Sequence, residues 1–459
     1  MLYSLVHKIS VLAIKLFFNQ ISLQNKQIVP NQGPVIFVAN HPNFFMDPLI
    51  AGSYCPRNLY FFAKSTLFNS SIKRWILTRL NLVPVYRKID DKENMGKNKD
   101  TFKKGHEILE KNGAFLIFPE GISIGKRVLE KLKTGAARIG LEAESKNDFN
   151  LNIVIIPIGL SYSDQIRFRS NIMIRFGNPI KLKDFEKDYK LNEIDTVKKV
   201  TSIIRKSLNE LINYYQTDQI EDIVQGLELI YKMELMTELG MEVDNKNDDF
   251  ITSKILTDVV QWYEKNEPYQ ITNFRRKLNE YVALLKKLDI RDEFLDPARQ
   301  EKRNWGKTRT ILFLIIGSPL FLWGIITNYI PYILPRILVK ISNKDQSEEA
   351  SWKLIYGFIF FAIYYIASTT LVWGLTQNLL VTILFSVSLI PSGDFALYYS
   401  KNIKKYKQHV KFLSIFYKKR SLLFEIIQKR MELLQYIEES KNRYLDTVGG
   451  ENTSYGRSN

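Results

Sequence analysis

Two stretches of this chain, Thr310–Ile330 and Leu354–Trp373, each run about twenty residues without an acidic or basic side chain, the length a helix needs to cross a bilayer. Inside hydrocarbon the backbone must satisfy its own hydrogen bonds, so such segments fold as helices. A third apolar run, Leu379–Ile390, is shorter and reads as half of a hairpin or an interfacial segment. Basic residues flank the block, with Arg299, Lys302, Arg303, Lys307 and Arg309 before it and Lys401, Lys404, Lys405 and Lys407 after it. The positive-inside rule assigns both flanks to the cytoplasmic face and asks for an even number of crossings. Two spans, or two plus a re-entrant piece, meet that demand, although Arg336 and Lys340 lie between the spans. The transmembrane region is expected over residues 306–400.

The rest of the chain changes character twice. Between residues 28 and 191, short apolar runs alternate with amphipathic stretches. The runs are Val35–Ala39, Leu59–Ala63, Leu82–Tyr86, Phe115–Phe118, Ile153–Ile158 and Ile172–Phe176, rich in Val, Ile and Phe and bounded by Gly, Pro or Asn. They predict strands, with helices such as Lys99–Lys111 and Leu129–Ser145 between them. Strand alternating with helix implies an α/β domain built on a mostly parallel central sheet. From residue 192 to 305 the pattern is helix after helix: Asp195–Tyr215, Ile220–Leu239, Thr252–Lys265 and Asn273–Leu288 repeat apolar residues at helical spacing. Beyond the membrane block, residues 401–446 read as a cytoplasmic amphipathic helix, centred on Val410–Leu445, and 447–459 as a disordered tail. At the other end, residues 1–27 contain an apolar helix, Leu2–Phe18, punctuated by His7, Lys8 and Lys15. With no small-residue cleavage site after it, this helix reads as membrane-associated rather than as a secretory signal.

Charge narrows the partners. A net charge of +17 suits nucleic acid, anionic lipid or a phosphorylated substrate. No zinc-finger spacing, basic zipper or aromatic RNA-binding signature is present, so nucleic acid is set aside and membrane lipid is the partner expected. The single cysteine, Cys55, cannot form an internal disulfide and sits in an apolar segment, which suits a small buried residue facing a reducing compartment.

The chemistry concentrates in Val38-Ala39-Asn40-His41-Pro42-Asn43-Phe44-Phe45-Met46-Asp47-Pro48. It follows directly on a predicted strand, so His41 falls at a strand's C-terminal end, where open α/β sheets bind ligands. A neutral imidazole can take a proton from an attacking hydroxyl if a carboxylate fixes its other nitrogen. His41 and Asp47 are six apart, which a regular helix would turn to different faces; they meet only if the intervening chain is a loop. Asp47 before Pro48 also suits a helix N-cap with proline in the first turn. Two further blocks end predicted strands: Phe118-Pro119-Glu120-Gly121, followed by Leu132-Lys133-Thr134-Gly135-Ala136-Ala137-Arg138, and Ile156-Pro157-Ile158-Gly159.

In this order the blocks resemble the glycerolipid acyltransferase family, which includes glycerol-3-phosphate and 1-acylglycerol-3-phosphate O-acyltransferases, over roughly Ile28 to Leu191. The resemblance implies that His41 is the general base and Asp47 its orienting partner. It implies that Glu120 and Gly121 help position the acceptor's glycerol and phosphate, and that Pro157 shapes the wall of the site. Val83-Pro84-Val85-Tyr86-Arg87 looks like the family's second motif, so Arg87 inherits pairing with the acceptor phosphate, a role suited to a planar guanidinium fork. The family usually has four residues between its histidine and aspartate; here there are five, read as a feature of a membrane-anchored subgroup. The family's Glu-Gly is commonly followed by Thr-Arg-Ser, but Ile122-Ser123-Ile124 stands here, so Lys126 or Arg127 replaces the missing arginine or the acceptor site differs. The other histidines, His7, His106 and His409, lie outside these motifs and read as structural.

The sequence therefore suggests a membrane-bound acyltransferase of phospholipid biosynthesis. It would move a fatty acyl group from an acyl thioester donor, acyl-CoA or acyl carrier protein, to glycerol 3-phosphate or 1-acylglycerol 3-phosphate. The large fungal-type enzymes also carry spans after the catalytic part, which leans the acceptor toward glycerol 3-phosphate. No metal or cofactor is expected beyond the thioester co-substrate, and the catalytic domain would lie on the cytoplasmic face of the membrane. The alternatives are a transacylase that remodels lysophospholipids and a non-catalytic lipid-binding membrane protein.

Overall fold

The computed structural model describes residues 2–295 and 307–448, apart from positions 88, 90, 92, 124, 126–128, 213–216, 244, 343–344 and 419. The expected tail after residue 448 and the flanking Arg299, Lys302 and Arg303 lie outside the described residues. The chain divides into two compact units, Met1–Tyr214 with Leu334–Phe360, and Tyr215–Ile333 with Phe361–Asn459.

The first unit is the α/β part. Its strands are β1 (Gln20–Gln24), β2 (Val35–Ala39), β3 (Leu59–Lys64), β4 (Leu82–Val85), β5 (Ala114–Ile117), β6 (Val154–Tyr162), β7 (Asn171–Phe176) and β8 (Ile180–Lys181). They form one sheet in the order β1-β7-β6-β2-β5-β3-β4, with β8 alongside β6. All pairings are parallel except β6 with β7 and β6 with β8. The six predicted strands are present; β1 and β8 are additions, because a five-residue polar strand and a two-residue strand carry little periodic signal.

Strand β2 shows why the sheet is double-sided. All five of its residues are buried, as befits a strand covered on both faces. Phe37 and Ala39 pack with α1 (Leu2–Phe17) and α2 (Met46–Tyr54) through Ile14, Phe17, Met46 and Ile50. Ile36 and Val38 face the other way, against α4 (Asn98–Glu110), α5 (Gly135–Lys146) and α7 (Glu193–Leu211). A short α3 (Ser71–Arg79) links β3 to β4, and α6 (Glu186–Leu191) precedes α7. The predicted helix over Leu129–Ser145 begins only at Gly135. Residues 129 and 130 are engaged elsewhere: the Glu130 N–H donates to Glu120, and Arg205 donates to the carbonyls of Leu129 and Glu130.

The second unit is helical. Helices α8 (Asp218–Ile230), α9 (Lys232–Glu238), α10 (Lys246–Asn266), α11 (Pro268–Leu288) and α15 (Arg420–Val448) share a core that includes Val224, Leu278, Tyr281, Ile426 and Leu433. The expected Ile220–Leu239 helix is broken at Tyr231, and Val410–Leu445 divides between α15 and the helix before it, which ends at Lys418. Three helices, α12 (Lys307–Ile341), α13 (Gln346–Thr376) and α14 (Leu379–Lys418), contain segments long and apolar enough to cross a membrane: Leu312–Ile341, Ser347–Thr376 and Leu379–Tyr417. The third corrects the expectation of a short apolar piece. Pro391 ends the uninterrupted apolar run in the sequence but stands inside the helix, since transmembrane helices tolerate proline where neighbours satisfy the backbone. Asn328 packs against this stretch, donating to the Leu389 carbonyl at 3.1 Å while accepting from the Tyr365 hydroxyl.

Candidate active site

The site forms where parallel strands end together. In the sheet Val38 of β2 lies level with Ile117 of β5 and with Pro157 of β6. Counting three residues on from Val38 and from Ile117 reaches His41 and Glu120. The two are joined directly, the His41 N–H donating to Glu120 Oε1 at 2.7 Å. On the other side Asn40 extends the β2–β6 ladder with its side chain, accepting from the Leu160 N–H at 2.7 Å and donating to the Leu160 carbonyl at 3.0 Å. His41 therefore leaves the sheet from a backbone held on both flanks.

The segment between His41 and Asp47 is a tight turn. Phe44 takes a positive φ of 28°, and the Asn43 carbonyl accepts from the N–H groups of Met46 and Asp47. This turn absorbs the fifth intervening residue and aims Asp47 back at the imidazole: His41 Nδ1 lies 2.8 Å from Asp47 Oδ2. Asp47 is not the helix cap that its neighbour Pro48 suggested; it stands inside the first turn of α2, whose cap is Phe45. The carboxylate is fully buried and has two further donors, the Asn43 N–H to Oδ2 at 2.7 Å and the Tyr162 hydroxyl to Oδ1 at 2.5 Å. Burial, reinforced by the Asp47 charge, holds the Tyr162 phenol well above the ordinary tyrosine range, so it remains the donor.

With Nδ1–H directed at Asp47, the tautomer assigned from these partners presents the Nε2 lone pair to an incoming hydroxyl. The ring lies against Phe118, centroids 4.0 Å apart and planes 17° from parallel. The Phe44 N–H donates to Ser123 Oγ at 2.8 Å, tying the His41 turn to the loop after β5.

The other predicted residues separate into groups. Glu120 is buried and both its oxygens accept from backbone N–H groups, those of His41 and, at 3.0 Å, of Glu130. Burial raises its carboxyl above the ordinary glutamate range despite those two donors. Its visible work is thus to join two loops. Gly121 has φ +74°, and its carbonyl accepts from the Arg87 guanidinium, so these two residues do meet beside the site. Pro157 lies within β6, level with Val38. It falls in the gap between the β8 and β7 pairings of that strand, where a missing N–H breaks no ladder bond. Lys126 and Arg127 lie outside the described residues.

Cys55 is buried and its thiol pushed up to about 12 by that burial. His106 is buried beside Glu142, His7 stacks on Tyr3, and His409 adjoins Phe294. Sequence reasoning missed Tyr162, Asn40 and Ser351, whose hydroxyl accepts from the Met46 N–H at 3.0 Å. Tyr162 had a usable signal: it continues the alternation Ile156, Ile158, Leu160 that faces α2. Ser351 had none.

Comparisons with known proteins follow the same lines. Residues 20–161 match the model of the Acyltransferase family. The chain is similar to Glycerol-3-phosphate O-acyltransferase 1 of Saccharomyces cerevisiae, 26% identical over 289 residues that cover 58% of this chain and 36% of that protein. Glycerol-3-phosphate O-acyltransferase 2 of the same yeast is 25% identical over 297 residues, 60% of this chain and 38% of its own length. The chain thus spans little more than a third of the length of these curated relatives. Among solved structures, the 1-acyl-sn-glycerophosphate (LPA) acyltransferase PlsC of Thermotoga maritima aligns with a TM-score of 0.34 and 18% identity, covering 46% of this chain and 79% of that one. The matched residues 20–161 are those that hold the His41–Asp47 pair and the Glu120 loop.

Proposed function

We propose that this chain is a membrane-bound acyltransferase of glycerolipid synthesis. It moves a fatty acyl group from an acyl thioester, carried by coenzyme A or acyl carrier protein, to a hydroxyl of glycerol 3-phosphate or of 1-acylglycerol 3-phosphate. The observation that carries the reading is the pair of partly exposed His41 and buried Asp47, Nδ1 to Oδ2 2.8 Å, at a strand's C-terminal end, within a segment that matches the Acyltransferase family model. The names of the two yeast relatives favour glycerol 3-phosphate as acceptor.

In this mechanism His41 Nε2 takes the hydroxyl proton as the oxygen attacks the thioester carbonyl. Asp47 stays ionised and stabilises the imidazolium. Collapse of the tetrahedral intermediate breaks the carbon–sulfur bond, and the thiolate leaves with the proton from His41. The balance needs no redox partner and no metal. Arg87, beside Gly121, meets the acceptor phosphate, with Lys126 or Arg127 completing that subsite. The three apolar helices keep the chain at a membrane, its α/β unit on the cytoplasmic face, and the lipid product is delivered there.

The test is acyl transfer by detergent-purified protein from radiolabelled acyl-CoA or acyl carrier protein to each acceptor. Loss of general-base catalysis lowers rates about 10²–10⁴-fold, so His41→Ala and Asp47→Ala should each reduce turnover on that scale while the protein stays folded. Undiminished transfer by folded His41→Ala would overturn the mechanism. Turnover with another lysophospholipid as the acyl source would replace the proposal with the transacylase reading.

A further inference from the structure

Helix α3 (Ser71–Arg79) is built inside out. A surface helix normally turns its apolar stripe toward the core, yet α3 buries none of its residues. Ile72, Trp75 and Ile76, which share one face by their spacing, are 73%, 55% and 37% exposed. Leu67, in the turn before the helix, is exposed as well. Nine residues are too few for a helix to be stable in water by itself, so this apolar face calls for a partner.

The surrounding charge identifies the partner. Between Asp47 and Asp90 the chain has no acidic residue but seven basic ones, Arg57, Lys64, Lys73, Arg74, Arg79, Arg87 and Lys88. Three of them belong to α3, and Arg79 lies over the Trp75 ring at 4.2 Å. A short helix with an exposed Trp and Ile face, a basic rim and no carboxylate suits the boundary of an anionic leaflet. Tryptophan is enriched at that depth because its ring is apolar and its N–H polar. A protein partner would demand no such one-sided charge. A bilayer is already at hand, since the same chain carries three helices long and apolar enough to span one.

Location gives the contact a purpose. Helix α3 follows the C-terminal end of β3, and β3 ends in Lys64, whose ammonium lies over the Phe44 ring at 5.6 Å. Phe44 belongs to the His41–Asp47 turn, so α3 hangs from the edge of the sheet at which the site opens.

We propose that α3 is a membrane-docking helix, its Ile72–Trp75–Ile76 face seated in the headgroup boundary of an anionic leaflet and its Lys73, Arg74 and Arg79 on lipid phosphates. This contact is independent of the acyl-transfer reading and is tested without turnover. Full-length protein carrying Ile72→Cys is labelled with an environment-sensitive fluorophore; native Cys55 is buried and its thiol stays protonated, so it does not compete. The protein is placed in nanodiscs of mixed phosphatidylcholine and phosphatidylserine, with and without nitroxide-bearing lipid. An apolar face seated about 5–10 Å into the boundary gives a blue-shifted label that loses most of its emission to the lipid nitroxide. A label at Leu191→Cys, 87% exposed on α6, serves as the water-exposed reference. Substituting Lys73, Arg74 and Arg79 together by Gln should weaken quenching in the anionic nanodiscs. Emission at position 72 that matches the reference overturns the proposal. So does a label shielded from soluble iodide yet untouched by the lipid nitroxide, which would mean a protein contact instead.

Discussion

Asp47 has more partners than a six-residue motif can supply. His41 and Asn43 come from its own turn, but the Tyr162 hydroxyl comes from the far end of β6. The phenol shares the negative charge of Asp47 and fixes the direction in which the carboxylate faces His41. Tyr162→Phe removes that donor from a buried carboxylate. A hydrogen bond to a charged group is worth about 1.5–3 kcal/mol, and loss of this fixed orientation should lower kcat about tenfold to a hundredfold. A purely structural phenol would reduce stability and leave kcat of the folded protein where it was.

At the scale of elements, the site depends on close packing behind it. Gly159 of β6, from the Ile156–Gly159 block, has the backbone of Leu211 at the end of α7 against it. An added Cβ would stand 2.6 Å from both the Leu211 Cβ and its carbonyl oxygen. Neither can rotate away, so Gly159→Ala must push α7 off the sheet, and overpacking of this kind costs about 1–3 kcal/mol. A lowered midpoint in thermal or denaturant unfolding, with kcat of the folded protein little changed, is the outcome expected. Its neighbour Pro157 serves the sheet too, spanning the gap between two pairing partners.

At the scale of the molecule, the α/β unit is completed by residues from far along the chain. Ala350 and Leu354 are buried in the core shared with α1 and α2, and Ser351, 305 residues from Met46, accepts the N–H that opens the Asp47 helix. The start of α13 is thus both the head of an apolar helix and a piece of the active-site support. Met46 N–H keeps a second acceptor in the Asn43 carbonyl at 2.9 Å, so Ser351→Ala should cost about 1 kcal/mol. Ser351→Leu, which forces bulk into a buried position, should cost more and lower transfer activity with it. Differential scanning fluorimetry alongside the transfer assay separates the two effects.

Much of this was legible in the residues themselves. Apolar runs of two lengths specify strands and membrane helices, because burial on both faces of a sheet and immersion in lipid each leave a continuous hydrophobic record. His41 was marked by its place after a strand, and Asp47, Arg87 and Gly121 by the resemblance of their motifs to a known family; the structure brings His41 to Asp47 and Arg87 to Gly121. What the tertiary structure decided are the contacts that cross the chain. Glu120 spends its carboxylate on the backbone of His41 and Glu130, Tyr162 reaches Asp47 from another strand, and Ser351 arrives from beyond the helical region. Local pattern records which face of a segment is apolar; it holds no record of which distant donor a buried carboxylate will find, since that pairing exists only once the sheet has fixed its register.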